Sequence, residues 1–283
     1  MSPHAIRLLA LTLIVVALAP AAQAAPGQEP IDSDVGMSVI APPPAPDPDR
    51  PTRTSSGKVV RGADPQLPPA LGPYPAKVVV IVYSDFQCPV CARVTDATHQ
   101  IPEEWPGEVR VEFRQHPLAM HANAANAAVA SLAAHRQGKF WEMHDVLFAH
   151  QAALDPESLA TYAGEIGLDL PRFRHDFGDP DLRSRVTQEG ALADQLGATG
   201  TPAFLINGRL QVGWGSWNGF RSQVQQELAV VNELLAKGTK LTAVHELRAR
   251  ALAKDAAAFQ AYKKAVIDSR AQGVRRSATK EAS

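Results

Sequence analysis

The sequence predicts an α/β fold in which a block of helices interrupts a strand-rich core. Residues 76–86 (AKVVVIVYSDF) are a run of β-branched residues next to prolines, which is typical of a strand buried on both faces. Residues 108–118 alternate apolar and charged side chains and predict a second strand. Strand patterning returns only at residues 202–212, after a long stretch with helical periodicity. This order predicts an α/β sandwich with a helical insertion between its two halves.

The individual elements follow from local patterns. Pro89 suits the first position of a helix, and this helix is expected to end near residues 105–107. Four or five consecutive helices are expected within residues 119–197, where no strand pattern occurs. The Asn207-Gly208 pair predicts a tight turn between two short antiparallel strands. A final core helix is predicted over about residues 217–235.

The N-terminal part of the chain differs from this core. Residues 1–24 are predicted to be an export signal, because a short basic segment, an apolar run and a small-residue cleavage pattern ending at Ala24 follow one another. A membrane anchor is the alternative, but the apolar run is shorter than the roughly 20 residues of a spanning helix. Residues 25–75 are rich in proline and predict an extended linker, within which residues 57–62 are a candidate edge strand.

The C-terminal part, residues 237–283, follows the predicted domain of residues 76–236. Its apolar residues recur at helical spacing and predict a long helix. It contains eleven Lys or Arg against four Asp or Glu. This basic helical tail is either an attachment surface for an anionic partner or a solvated helix that packs one stripe on the domain. The whole chain has a net charge of −1, which argues against nucleic-acid binding by the protein as a whole.

The two cysteines of the chain, Cys88 and Cys91, lie at the predicted junction between strand and helix. They could form a redox pair, half of a metal site or a structural disulfide. A structural disulfide gains stability from the length of the loop that it closes, and this loop is short. Zinc would need two further ligands, and the histidines are scattered over several elements without the spacing of a zinc finger. The redox pair is therefore favoured, and no metal is predicted.

The position of the pair assigns a different role to each thiol. Helix N-termini lower the pKa of cysteines, so Cys88 is predicted to be the exposed nucleophile. Cys91, about one turn further, would resolve the mixed disulfide. The intervening Pro89 and Val90 tune the potential and supply no cation, which predicts an oxidant that is not extreme. His116, at the end of the second strand, is a further candidate neighbour of the site.

Several blocks of the sequence resemble one known family in composition and order. They are VVVIVYSDFQCPVCARV, VEFRQHPLAMHANAANAAVASLAA, QGKFWEMHDVLF, YAGEIGLDLPRF and LGATGTPAFLINGRLQVG. Together they cover about residues 78–235 and are similar to the DsbA-like thiol–disulfide oxidoreductases. This resemblance implies an α/β thioredoxin fold with an inserted all-helical domain, to which the C-terminal helical extension is added. The linker and the tail lie outside the matched blocks.

The resemblance also implies roles for particular residues. Thr201-Pro202 corresponds to the family's cis-proline dipeptide, which lies beside the cysteines and offers the backbone of Thr201 to an extended substrate. Asp85 belongs to the family's SDF block, where it could influence the thiolate or simply accept hydrogen bonds from the backbone. Phe86 and Gln87 are expected to shape the rim of the site.

These observations predict an exported, periplasmic or extracytoplasmic thiol–disulfide oxidoreductase that introduces disulfide bonds into cysteine-containing exported polypeptides. It would need a membrane redox partner for regeneration, and neither a metal nor an organic cofactor. An envelope disulfide reductase or isomerase is the first alternative, and a non-catalytic scaffold or chaperone is the second. If the tail is an accessory, removal of residues 240–283 is expected to leave exchange intact.

Overall fold

A computed structural model describes residue 65 and residues 67–268 of the chain. The predicted export signal, most of the linker and the candidate strand at 57–62 lie outside the described residues. The described elements are β1 (Ala70–Leu71), β2 (Val78–Ser84), α1 (Pro89–Arg93), α2 (Thr95–Glu104), β3 (Val109–Gln115), α3 (Ala124–Arg136), α4 (Phe140–Ala149), α5 (Pro156–Glu165), α6 (Leu170–Phe177), α7 (Pro180–Leu196), β4 (Ala203–Ile206), β5 (Arg209–Val212), α8 (Trp217–Ala236), α9 (Leu241–Leu252), α10 (Ala256–Tyr262) and a closing π-helix (Lys263–Asp268).

The strands form one mixed sheet in the order β1-β3-β2-β4-β5. Strands β2 and β3 are parallel, and the other neighbours are antiparallel. All seven residues of β2 are buried, which confirms the prediction of a central strand covered on both faces. Because β4 runs against β2 with Tyr83 opposite Ala203, the chain enters β4 where β2 ends. This register brings the segment before Ala203 next to the residues that follow Ser84.

Helices α3–α7 lie between β3 and β4, which confirms the predicted fold class. Three of these helices begin in the same way. Asp155, Asp169 and Asp179 are the N-cap residues of α5, α6 and α7, and each carboxylate accepts at least one backbone N–H of the first turn. A proline occupies one of the first two helical positions in all three, where its missing N–H costs no hydrogen bond.

Two details of the first half differ from the prediction. The helix after the cysteines is divided into α1 and α2 at Val94, a buried β-branched residue with non-helical dihedral angles. Strand β1 lies in the segment assigned to the linker, and its Ala70 pairs with Glu112 of β3. The chain then turns at Gly72, which has a φ of 88° and lies so close to the carbonyl oxygen of Val109 that a Cβ would be only 2.5 Å from it. Only glycine fits at this position.

The described C-terminal residues, which end at 268, form α9, α10 and the closing π-helix instead of one long helix. Helix α9 ends at Leu252, and Asp255 caps the start of α10 through a hydrogen bond from the Ala258 N–H to its carboxylate. Both helices pack on the sheet face opposite α1 and α8. The buried cluster on this face contains Val79, Ile81, Tyr83, Leu205, Ala249, Ala258, Phe259, Tyr262 and Val266. The tail thus completes the hydrophobic core of the sheet.

A buried polar network fixes α9 to the rest of the domain. Arg248 of α9 donates two hydrogen bonds to the carboxylate of Glu227 of α8, at 2.9 and 2.8 Å. The side-chain amide of Asn207 donates to Glu227 at 3.1 Å, and its oxygen accepts the Val79 N–H at 2.9 Å. Asn207 has a φ of 48° and forms the predicted hairpin turn with Gly208. One network therefore joins α8, α9, β2 and the hairpin.

None of the helices in the described part of the chain has the length and apolar character needed to cross a membrane.

Candidate functional site

The site begins where β2 ends and α1 starts. Cys88 is the N-cap residue of α1, with extended dihedral angles, and Pro89 occupies the first helical position as predicted. The carbonyl oxygen of Cys88 accepts the Ala92 N–H, which closes the first turn. The first N–H groups of a helix have no partner within the helix and point towards the N-cap side chain. The fold therefore directs backbone donors at the sulfur of Cys88.

These donors favour the thiolate form of Cys88. A hydrogen bond with the thiol of Cys91 makes the largest contribution and lowers the pKa of Cys88 to about 5, against the opposing effect of burial. An interaction with Thr201 and the backbone N–H groups of Cys91 and Val90 contribute to the same decrease in the pKa. A thiol with a pKa of about 5 is almost wholly ionised at neutral pH.

The expected exposure of Cys88 is wrong, because this residue is only 5% exposed. The second cysteine is buried still more deeply. Cys91 is 1% exposed, and burial raises the pKa of its thiol far above the ordinary range, with Cys88 adding to the effect. The Ser84 side chain and the Asp85 backbone oppose this rise without reversing it. Cys91 therefore stays protonated and donates to the Cys88 sulfur. The two thiols of one pair have pKa values displaced in opposite directions.

The segment that precedes β4 lies beside the cysteines at the same end of the sheet. The peptide bond between Thr201 and Pro202 is cis, as the resemblance implied. The sulfur of Cys88 lies 3.4 Å from the carbonyl oxygen of Thr201. The hydroxyl oxygen of Thr201 is buried and has no hydrogen-bond partner among the described residues. The backbone and side chain of Thr201 thus supply polar atoms at the reactive sulfur.

Asp85 is fully engaged by its neighbours. One carboxylate oxygen accepts the Gln87 N–H at 2.7 Å, and the other accepts the Leu118 N–H at 2.8 Å and the Nδ1–H of His121 at 2.7 Å. The side chain of Asp85 is completely buried. Of the two alternatives given by the sequence, this geometry favours the hydrogen-bonding role. The carboxylate joins the segment before Cys88 to the loop after β3.

The expectation for Phe86 is wrong, because this side chain is buried in the core instead of lining the rim. Its ring is 0% exposed and lies between Phe113 and Phe148, with centroid distances of 5.5 and 4.9 Å. Gln87 is half-buried, and its side-chain oxygen accepts the Asn123 N–H at 2.6 Å. Both residues therefore anchor the segment before Cys88.

The sequence suggested His116 as a neighbour of the site, but it is His121 that contacts Asp85. The Nε2 of His116 lies 3.0 Å from the carbonyl oxygen of Ala198, three residues before Thr201. Its ring borders a cavity of about 350 Å³ between α3 and α7. His121 is the histidine that contacts Asp85. Sequence reasoning missed His121 because it lies in a loop without periodic pattern.

Gln151 is a second residue that sequence reasoning missed. It follows α4, and its side-chain amide donates to the carbonyl oxygens of Phe86 and Cys88, at 2.8 and 2.9 Å. These bonds hold the helical block against the backbone of Phe86 and Cys88. A polar residue in a loop gives no sequence signal of such a contact. Pro89 is exposed and Val90 is half-buried, so both lie at the surface beside the pair.

The comparisons with known proteins agree with this geometry. Residues 66–226 match the family model described as thioredoxin, and the chain belongs to that family. Within it, the helical insertion and the cysteine pair at the start of α1 place the chain among the DsbA-like thiol–disulfide oxidoreductases.

Solved structures share the fold over more than half of the chain. A thioredoxin-like oxidoreductase from Silicibacter pomeroyi is 30% identical and aligns with a TM-score of 0.52, covering 60% of this chain and 94% of its own. The thiol–disulfide exchange protein α-DsbA2 of Wolbachia pipientis is 23% identical, with a TM-score of 0.52 and coverage of 56% and 86%. At that identity the second likeness shows the fold alone.

Curated relatives match a similar part of the chain. A protein named Na⁺/H⁺ antiporter NhaA 3 from Salinispora tropica is 42% identical over 147 residues, which are 52% of this chain and 22% of the relative. The antiporter NhaA of Herminiimonas arsenicoxydans is 37% identical over 146 residues, 23% of its length. The chain thus spans less than a quarter of the length of these two relatives. Their names therefore do not assign ion transport to this chain.

Proposed function

We propose that the protein is an exported thiol–disulfide oxidoreductase that introduces disulfide bonds into other exported polypeptides. The observation that carries this proposal is the opposite displacement of the two thiol pKa values in one pair. The environment of Cys88 stabilises its thiolate and hence the reduced form of the pair. Stabilisation of the reduced form makes the disulfide form a stronger oxidant.

The proposed reaction begins from the Cys88–Cys91 disulfide. A substrate thiolate attacks the sulfur of Cys88, a substrate–Cys88 disulfide forms, and Cys91 leaves and takes up a proton. A second substrate thiolate then attacks the substrate sulfur of this mixed disulfide, and Cys88 leaves as a thiolate. The substrate loses two electrons, and the pair gains them. Because thiols of low pKa are the better leaving groups, the environment of Cys88 favours this last step.

The surroundings of Cys88 support binding of an extended polypeptide. The polar atoms of Thr201 lie at the sulfur, and Pro202 fixes the backbone beside them. A cysteine-containing segment that pairs with the Thr201 backbone would place its own sulfur against Cys88.

The reduced pair must lose its electrons before another cycle, so the proposal includes a redox partner in the membrane. Export by the segment 1–24 would bring the protein to a compartment where disulfides persist. The oxidation reaction itself needs no metal or organic cofactor, since the two sulfurs carry both electrons.

The test compares three forms of the protein with a reduced, unfolded substrate that contains two cysteines. The oxidised protein is expected to convert substrate thiols to a disulfide in stoichiometric amounts, and Cys88→Ser is expected to be inactive. Cys91→Ser is expected to accumulate a mixed disulfide when a disulfide-bonded substrate is supplied, because the resolving thiol is absent. Faster reduction than oxidation of substrate would favour the reductase alternative, and no exchange in either direction would refute both.

A further inference from the structure

Two histidines and an aspartate meet between α2 and α4. The Nε2 atom of His99 lies 2.8 Å from one carboxylate oxygen of Asp145, and the Nδ1 atom of His144 lies 2.9 Å from the same oxygen. One potential ligand atom from each residue lies within 4.8 Å of the other two. Neither of these contacts is needed for the proposed thiol chemistry.

These three donors match the preferences of zinc. Imidazole nitrogens and carboxylate oxygens bind Zn²⁺ at about 2.0–2.2 Å, which separates tetrahedral ligands by roughly 3.3–3.5 Å. The distances from the Asp145 oxygen to the His99 and His144 nitrogens, 2.8 and 2.9 Å, are slightly shorter than this. The ligand atoms would therefore move apart by a few tenths of an ångström when the ion binds.

The exposure of the side chains is graded across the cluster. His144 is 1% exposed, His99 is 12% exposed and Asp145 is 28% exposed. The His144 ring is fixed by aromatic contacts, with Phe148 at a centroid distance of 4.9 Å and Trp141 at 5.0 Å. A cation could therefore enter from the side of Asp145 and find a rigid imidazole behind it.

We propose that His99, His144 and Asp145 form a binding site for Zn²⁺, with water as the fourth ligand on the exposed side. The site would join two parts of the fold, since His99 belongs to α2 of the sheet domain and the other two ligands belong to α4 of the helical block. Binding would stabilise the folded chain, because a ligand that binds only the folded state shifts the folding equilibrium.

The experiment measures Zn²⁺ binding to the full, untagged chain with its cysteine pair oxidised, so that the thiols cannot bind metal. Calorimetry is expected to show one bound Zn²⁺ per chain, and the melting temperature is expected to rise with added Zn²⁺. His99→Gln and Asp145→Asn are each expected to weaken binding at least about tenfold, since loss of outer-shell partners alone costs about 10–100-fold.

His175→Gln is the matched control. His175 also faces an aspartate, with its Nδ1 atom 3.4 Å from Asp176. No second histidine within the described part of the chain joins this pair, and the His175 side chain is 83% exposed. Its removal is expected to leave Zn²⁺ affinity unchanged. Failure of the oxidised wild-type chain to bind Zn²⁺, or equal binding by all three variants, would overturn the proposal.

X-ray absorption of the wild-type Zn²⁺ complex gives a test that does not depend on the folding of any variant. Two imidazole ligands with the remaining ligands oxygen are expected. A sulfur ligand, or any other number of imidazoles, would overturn the assignment. The outcome is independent of the proposed oxidase function, because the measurement does not involve thiol exchange.

Discussion

The sulfur of Cys88 lies 3.4 Å from the carbonyl oxygen of Thr201, although the two residues are 113 positions apart in the chain. The antiparallel register of β2 and β4 creates this contact, because β4 begins opposite the end of β2. The helical block of α3–α7 is inserted into the chain between β3 and β4. The reactive end of the sheet is thus built from both halves of the α/β core.

The first prediction concerns ionisation of Cys88. In the reduced protein its thiolate absorbance is expected to titrate with a midpoint near pH 5, because hydrogen bonding lowers the pKa from an ordinary value of 9.0 to about 5. Ultraviolet titration of the wild type measures this midpoint. Cys88→Ser is the control and should lack the transition. A midpoint near the ordinary value would contradict the described environment.

The same displacement predicts a pH dependence of stability. A group whose pKa is lower in the folded state adds stability above its unfolded-state pKa, and this stability is lost as the pH falls through the folded-state pKa. The stability of the reduced protein relative to the oxidised protein should therefore decrease as the pH falls from about 9 to about 5. Melting temperatures of both forms test this, and an opposite slope would be inconsistent with a stabilised thiolate.

The second prediction concerns Gln151, which we describe as a positioning residue. Gln151→Leu removes both donors to the carbonyl oxygens of Phe86 and Cys88. The free energy of unfolding should fall by about 1–3 kcal/mol, because the Phe86 oxygen loses this donor and the Cys88 oxygen keeps only the Ala92 N–H. Thiol exchange should be slower, and the Cys88 midpoint should shift because the N-cap backbone is less well fixed.

Gln188→Leu is the control for this change. Gln188 is exposed on α7, and its side-chain amide donates to the Ser184 hydroxyl at 3.0 Å. Its effect on the free energy of unfolding should lie within about 0.5 kcal/mol. If the two variants had the same stability and the same exchange rate, the positioning role of Gln151 would be refuted.

The third prediction separates the two interpretations of Asp85. Asp85→Asn replaces one acceptor oxygen by an NH₂ group that would face N–H donors. The variant should lose about 1–3 kcal/mol of stability by urea unfolding. The Cys88 midpoint should stay near pH 5, because the donors that stabilise its thiolate belong to Cys91, Val90 and Thr201. A clear change of this midpoint, with stability preserved, would support the modulating role instead.

The fourth prediction concerns attachment of the C-terminal helices. Arg248→Met removes the cation that neutralises Glu227, whose side chain is 3% exposed. Breaking a buried pair by removing one partner costs about 3–5 kcal/mol, so a loss near the lower limit is expected. Lys237→Met is the control, since its pair with Glu233 is exposed to solvent and should contribute little to stability. Equal stability of the two variants would show that α9 is only loosely attached.

The fold was largely predictable because its main signals are local. The apolar run of β2, the Asn207-Gly208 turn and the long helical block each have a pattern that a short window reveals. Strand β1 has two residues and no periodicity, so it could not be recognised. The two-helix tail was also missed, because the break at residues 253–255 is set by a cap and by packing against the sheet.

The charged residues of β3 show why burial was harder to predict. Arg110, Glu112 and Arg114 alternate with apolar residues, a pattern typical of a strand with one solvent-facing side. All three are nevertheless buried, because they pair with one another and with Glu189 of α7. Mutual charge compensation between distant elements gives no local sequence signal.

At the site, too, only the residues with a local sequence signal could be predicted. The positions of Cys88 and Pro89 follow from the junction of strand and helix, while Thr201-Pro202 was available only through family resemblance. His121 and Gln151 remained unseen, since they reach the site from loops whose course depends on tertiary structure.

The central claim is that the cysteine pair is a disulfide donor, and its reduction potential tests this most directly. Equilibration of the full chain against glutathione buffers measures the fraction of the Cys88–Cys91 disulfide at each redox ratio. A disulfide donor is expected to have a reduction potential well above the approximately −270 mV of thioredoxin, towards the approximately −120 mV of the strong oxidant DsbA. A value at or below that of thioredoxin would contradict the claim and assign the protein to disulfide reduction.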